Sequence, residues 1–135
     1  MIKFSPKQVE FLNKQTVGRV ATISQRGELH VVPICYVFDD GNIYFATDYE
    51  AKKARNLREN RKVSIIIDQY FEDWSKLKGI LIQGEAELLE TESEFEKIRY
   101  LLHKKHPQYA EMPIKEGECL IVRIKPSSVS RWGFS

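Results

Sequence analysis

The densest chemical signal in the chain is the run Lys52-Lys53-Ala54-Arg55, which follows Thr47-Asp48-Tyr49. The spacing of Ala51, Ala54 and Leu57 predicts a helix over Glu50–Glu59, entered from a strand that ends at Thr47. Free N–H groups and the positive end of the helix dipole gather at such a start, and both favour an anion. Lys53 stands four positions before Leu57, so it projects towards the buried side of the helix. Two lysines and an arginine here suit a phosphate, whereas Asp48 and Glu50 oppose one. On these residues alone a phosphate site and a solvated helix face both stand.

The remaining reactive residues point to no catalytic centre. His103 and His106 share a face near a helix end, but no further ligands join them for a metal, and cationic side chains are favourable at that end in any case. His30 and Cys35 fall on opposite faces of one strand, which argues against a thiolate–imidazole pair within it. Cys35 and Cys119 lack CxxC spacing, so two free, buried thiols are expected, with a disulfide as the alternative. Trp74 and Trp132 suit core or interface, and the aromatic ending Ser130–Phe134 needs somewhere to dock. The chain has no Gly-rich phosphate loop, nucleophile elbow or paired-carboxylate pattern, so no catalytic acid or base is assigned.

The elements that must position these residues are mainly strands. Ser5 and Gln8 form a capping box for a helix from Pro6 to about Gln15. Strands are expected at Val17–Ser24, Leu29–Phe38, Ile43–Thr47, Lys62–Tyr70, Lys78–Leu89 and Glu118–Lys125. The Asp39–Asn42 turn, with Gly41 able to take a positive φ, makes the first three a meander. A second capping box at Thr91–Glu94 starts a helix to about Lys105, with Phe95, Ile98, Leu101 and Leu102 buried. Phe71–Leu77 and Gln108–Gly117 read as loops, and 126–135 as a tail. Six strands with two or three helices imply a mainly β (α+β) fold, an antiparallel barrel with peripheral helices. Both faces of Leu29–Phe38 are apolar, so the one outside the barrel needs a helix, a ligand or a second subunit to cover it.

Composition narrows the class further. The 135 residues suit a single domain, 1–135, which buries roughly two-thirds of its unfolded surface without staples. A net charge of +2, with acidic and basic residues interleaved, argues against a nucleic-acid partner. No apolar run reaches the ~20 residues of a membrane span, and Met1–Gln15 is charged and amphipathic rather than a signal core. The expectation is a cytoplasmic protein with no membrane partner.

Several stretches occur in a telling order. They are Gly18–Ile23, Gly27, Val32-Pro33-Ile34-Cys35-Tyr36, Asp40–Thr47, Lys52–Leu57 and Val63-Ser64-Ile65. Together they resemble the pyridoxamine-phosphate-oxidase-like family from about Thr16 to Leu89, with an echo at Trp132. The resemblance implies a six-stranded split barrel that forms a homodimer. It implies FMN, or in some branches a deazaflavin coenzyme, at the subunit interface, and a small-molecule substrate. It assigns the cofactor phosphate to Lys52 and Lys53, with Thr47 at the strand end. It lays the strand edge Val31, Val32, Pro33 and Ile34 along the ring and brings Trp132 near it. The implied function is an oxidoreductase moving hydride through flavin N5; a non-catalytic flavin- or haem-binding module is the alternative. The vitamin-processing members carry an Arg and a Lys around the flavin edge of the second strand and an Arg-rich C-terminal motif. Here that strand reads Val31–Tyr36 and the chain ends Arg131–Ser135, so pyridoxamine phosphate is not the expected substrate.

Overall fold

The structure is a computed structural model that describes residues 2–135. The Ser5/Gln8 capping box forms as expected and starts α1 (Pro6–Lys14). The strands are β1 (Val17–Ile23), β2 (Leu29–Cys35), β3 (Val37–Asp39), β4 (Asn42–Asp48), β5 (Lys62–Gln69), β6 (Lys78–Leu89) and β7 (Cys119–Trp132). Helices α2 (Lys52–Glu59) and α3 (Ser93–Lys105) follow β4 and β6, and short 3-10 turns occur at Trp74–Lys76 and Pro107–Ala110. The strands form one antiparallel sheet in the order β2-β1-β5-β6-β7-β4-β3. This is the expected split barrel.

Seven strands stand where six were expected because the Leu29–Phe38 segment breaks at Tyr36. Its first part pairs with β1, Val17 opposite Cys35, and its second with β4, Val37 opposite Tyr44. The two strands at the ends of the sheet order are thus one residue apart in the chain, and Tyr36 joins the sheet's opposite edges. A fully buried residue that has left both ladders must find other partners for its polar groups. The Tyr36 hydroxyl donates to the Leu12 carbonyl at 2.6 Å, and its own carbonyl accepts from His106 Nε2 at 2.7 Å. The Lys105 ammonium lies 4.0 Å from the Tyr36 ring centroid and also donates to Leu12 O at 3.3 Å. The β3–β4 turn has Asp40 at φ 48 and Gly41 at φ 83, the pair of positive angles a two-residue hairpin requires.

Three boundaries differ from expectation. Helix α2 begins at Lys52 rather than Glu50, with Ala51 at the N-cap and no side-chain cap. The second capping box does not form, because the Glu92 carboxylate accepts from the Thr91 N–H instead. The expected tail is strand as far as Trp132. A register shift between Gln83 and Gly84 carries β7 past Pro126. Gly84 and Gly79 have no Cβ to block the close approach of the Lys125 carbonyl and the Trp132 indole.

Two apolar clusters result. The barrel interior holds Val20, Phe45, Ile65, Ile82 and Val122 with Leu57 of α2. Outside β3, β4 and β7, Phe95, Ile98 and Leu102 of α3 cover Val37, Tyr44 and Ile121; Leu101 packs at the margin of that cluster. The outer face of β2 has no such cover among the described residues: Leu29 is 79% and Val31 62% exposed. Residues 90–118 form an excursion between the end of β6 and the start of β7, neighbouring strands in which Leu89 pairs with Ile121.

Tyr36→Phe deletes one buried hydrogen bond and keeps the ring. Urea denaturation of that variant should show a loss of about 1–2 kcal/mol, from a lower midpoint at unchanged slope.

Candidate functional site

A cavity of about 590 Å³ opens where β2, β4, α2, β7 and the excursion converge. Cys35 enters it from the end of β2, Thr47 from the end of β4, Lys53 from α2 and Cys119 from the start of β7. His106 and Tyr109 close the far side. Another groove of similar volume lies along α1 between Phe4, Val9 and Lys14, without a comparable set of reactive groups.

The start of α2 is held rigidly. Asn56 Nδ2 donates to Thr22 Oγ1 at 3.0 Å, anchoring the helix to β1 through a buried polar pair. Arg58 stacks 4.2 Å from the Tyr49 ring centroid and donates to the Tyr49 carbonyl at 2.6 Å. The N–H groups of the first helical turn, at Lys52, Lys53 and Ala54, have no intrahelical acceptor, and no side chain caps them. Lys53 is half-buried and lines the cavity, while Lys52 is exposed. Thr47 is buried, and its hydroxyl donates to the Asp48 carbonyl at 3.3 Å.

The other expected site residues are dispersed. Val31 and Pro33 point outwards and are exposed, Val32 packs at the margin of the barrel core, and Ile34 is buried in it. β2 is a terminal strand in the hydrogen-bonded order, so its edge away from β1 has no ladder partner. Trp132 lies against Gly79. Leu120 pairs with Thr47, and from there β7 runs on to Trp132, roughly 40 Å at ~3.3 Å per residue. One protomer therefore does not bring Trp132 to Lys53.

The excursion supplies groups that periodicity concealed. His106 is 3% exposed. Since Tyr36 offers it a carbonyl, Nε2 carries the proton, and burial holds the ring's pKa below its ordinary value. His103 has the opposite tautomer, because its Nε2 accepts from the Ile114 N–H at 3.2 Å. The favourable setting that the helix end offers a cationic side chain is not what holds His106, which is buried against a carbonyl. Tyr109 stacks on His103 at 5.2 Å and meets His106 edge-on at 6.2 Å. Burial, with a smaller contribution from the neighbouring Cys35 and Cys119 sulfurs, pushes its phenol up to about 12. Those thiols are free but not buried: both are half-exposed along the cavity wall. Burial raises the Cys119 thiol, whose sulfur lies 3.7 Å from Asp48 Oδ1. Two sequence signals pointed this way, the His106-Pro107 helix stop and the aromatic Tyr109 in a polar loop. Neither says what the loop folds against. Among the described residues no group of three His, Cys, Asp or Glu side chains is placed to hold a metal, and no helix is long and apolar enough to cross a membrane.

The family profile described as pyridoxamine 5'-phosphate oxidase matches residues 4–133. A 5a,11a-dehydrotetracycline/5a,11a-dehydrooxytetracycline reductase from Streptomyces rimosus is 27% identical over 135 aligned residues, 96% of this chain and 83% of the relative. The fold is also similar to HutZ, a haem storage protein of Vibrio cholerae, with a TM-score of 0.82 at 16% identity, over 98% of this chain and 95% of the other. An F420 reductase superposes with a TM-score of 0.70 at 17% identity, over 90% of this chain and 94% of the other. At these identities the two structural likenesses speak for the fold alone.

The depressed pKa of His106 has a consequence for stability. Below its ordinary pKa of 6.5 the unfolded ring takes up a proton that the folded ring resists, so stability falls as the pH drops from about 6.5 through the folded value. His106→Gln, which removes the titrating ring, should flatten the dependence of the urea midpoint on pH between 6.5 and 5.

Proposed function

Because the chain belongs to the pyridoxamine 5'-phosphate oxidase family over residues 4–133, we propose that it is a homodimeric reductase that binds FMN, or a deazaflavin coenzyme in its place, and reduces a small organic molecule. The observation that carries this reading is the meeting of Lys53 and Thr47 in one cavity at the uncapped start of α2. A half-buried ammonium beside free N–H groups at a helix start is a strong arrangement for a phosphate. His30 adds to the fit: among the described residues its Nδ1 is the one buried side-chain nitrogen or oxygen without a hydrogen-bond partner. It stands opposite Thr22, the residue that anchors α2. A polar ligand atom near α2 would satisfy it.

When bound, the cofactor supplies hydride chemistry; the chain supplies binding, orientation and electrostatics. Lys53 and the N–H groups at the start of α2 hold the phosphate, with Thr47 beside it and Lys52 reinforcing the charge from the solvent side. The free edge of β2, from Val31 through Val32 and Pro33 to Ile34, offers backbone groups to the polar edge of the ring. The absence of a basic residue from Val31 to Tyr36 removes the expected anchor for pyridoxamine phosphate, so the substrate is a different one. The relative described as a dehydrotetracycline reductase supports a reductase.

The dimer rests on the outer face of β2 and β1. Leu29, Val31 and Pro33 stand opposite Ile23, Ala21 and Arg19. This strip, apolar except for Arg19 and extended by Val17 at 39% exposure, is the kind of patch that a partner covers. A second copy also gives Trp132 a site to approach, since its own protomer's cavity is far along the strand. Free thiols in the cavity wall suit a reducing, cytoplasmic setting.

Lys53→Ala should weaken FMN binding about tenfold, near the ~1.5 kcal/mol of a charge-assisted contact, with unchanged thermal unfolding of the free protein. Fluorescence titration measures it, and equal affinity in the variant removes the phosphate assignment. Val31→Glu should convert the dimer to a monomer in light scattering, because it places charges across the covered strip.

A further inference from the structure

A lysine on a helix can hold a phosphate only if the helix itself is held at the right rotation. We infer that the buried Thr22–Asn56 pair sets that rotation for Lys53, and with it the preference for a phosphorylated over an unphosphorylated flavin; this rests on the phosphate reading above. Neither Thr22 nor Asn56 lines the cavity, so both are positioning residues that act through Lys53.

The other attachments of α2 leave it free to turn. Ala54 and Leu57 are buried in the barrel core, but apolar burial is non-directional. Arg58 reaches the Tyr49 carbonyl, and the Tyr49 N–H is held in turn by the Glu118 carbonyl. That bond is exposed and ends a long, flexible side chain, so it tolerates a turn of the helix. Among the described residues the Asn56 bond to Thr22 is the one hydrogen bond from a side chain of α2 to a strand. A hydrogen bond weakens steeply as its angle closes, so this one fixes the rotation of α2 about its axis. Asn56 is 6% and Thr22 3% exposed, which keeps water from replacing either partner.

The lever from this bond to the phosphate is short. Lys53 and Asn56, three residues apart, are neighbours on successive turns. Turning a helix by ~20° carries a side-chain tip ~5–6 Å from its axis through about 2 Å. That is enough to break a charge-assisted hydrogen bond. Thr22 also stands opposite His30 in the β1–β2 ladder, next to the Val31–Ile34 edge assigned above to the ring. The attachment therefore runs from the start of α2 through Asn56 and Thr22 to β2, and sets the spacing between phosphate and ring edge. A ligand with both ends gains from that spacing, and one without the phosphate does not.

The test compares FMN with riboflavin, which has the same ring and no phosphate, by fluorescence titration of the full chain. In Thr22→Val the ratio of FMN to riboflavin affinity should fall about tenfold, the whole of the Lys53 contribution, with riboflavin affinity unchanged. Thr22→Ser, which keeps the hydroxyl, should hold the wild-type ratio. Thr22→Val leaves an unpaired buried amide, whereas Thr22→Val/Asn56→Leu removes both polar groups and preserves the fold; its ratio should match that of Thr22→Val. Adding Thr22→Val to Lys53→Ala should lower the ratio no further, because both changes remove the same contact. A wild-type ratio in the two valine variants, or an equal loss of both affinities, overturns the inference. In that event a lowered ratio in Lys53→Ala leaves the phosphate reading standing. A wild type that binds FMN no more tightly than riboflavin overturns the phosphate reading and the inference together.

Discussion

The structure depends on the burial of Tyr36 between two sheet edges. A curled sheet of this size ends in strands whose edges carry unpaired backbone groups, and here a single residue spans the gap between them. That residue cannot pair with either edge, so its hydroxyl and carbonyl reach outwards, to Leu12 at the end of α1 and to His106 at the end of α3. The same two contacts fix both helices against the barrel. Lys105 strengthens the joint by binding the same Leu12 carbonyl, and burial there lowers its pKa to about 8. A low-dielectric joint of charged, aromatic and carbonyl groups is favourable only when every member is satisfied, which makes it a place of high specificity.

Much of the barrel was legible because its strands announce themselves. The alternation of Ile80 and Ile82 with Leu81 and Gln83, the Asp40-Gly41 turn and the Ser5/Gln8 cap each encode their own local geometry. What resisted was any feature whose cause lies elsewhere in the chain. Leu29–Phe38 is apolar throughout except for His30, so nothing in it marks the break at Tyr36; the break comes from pairing with two different partners. The tail after Pro126 is strand only because Gly84 and Gly79, far back in the sequence, leave room for it.

The cavity divides in the same way. Thr47 and Lys53 lie close together in sequence and were legible as a pair. The opposite wall, from His106 to Lys115, was read as a helix stop and a loop. Its place in the cavity arises from packing against β2 and the start of β7, which sequence periodicity does not encode. The same holds for the two thiols, whose shared exposure to the cavity follows from the sheet order and not from their spacing. On the outer face of β2 the sequence demands a cover of helix, ligand or second subunit, and among the described residues Leu29 and Val31 stay exposed.

The excursion between Leu89 and Cys119 departs from β6 and returns in the neighbouring strand β7. A segment anchored in this way can change in length and composition without shifting the register of any strand. It nevertheless contributes one wall of the cavity and, through Lys105 and His106, part of the barrel's closure. The two duties fall on different stretches: closure is finished by His106, and most of the residues from Gln108 to Lys115 line the opening. Within one scaffold, then, the stretch after His106 is the part of the molecule where the shape and polarity of the bound molecule can diversify between related chains while the barrel they share stays the same.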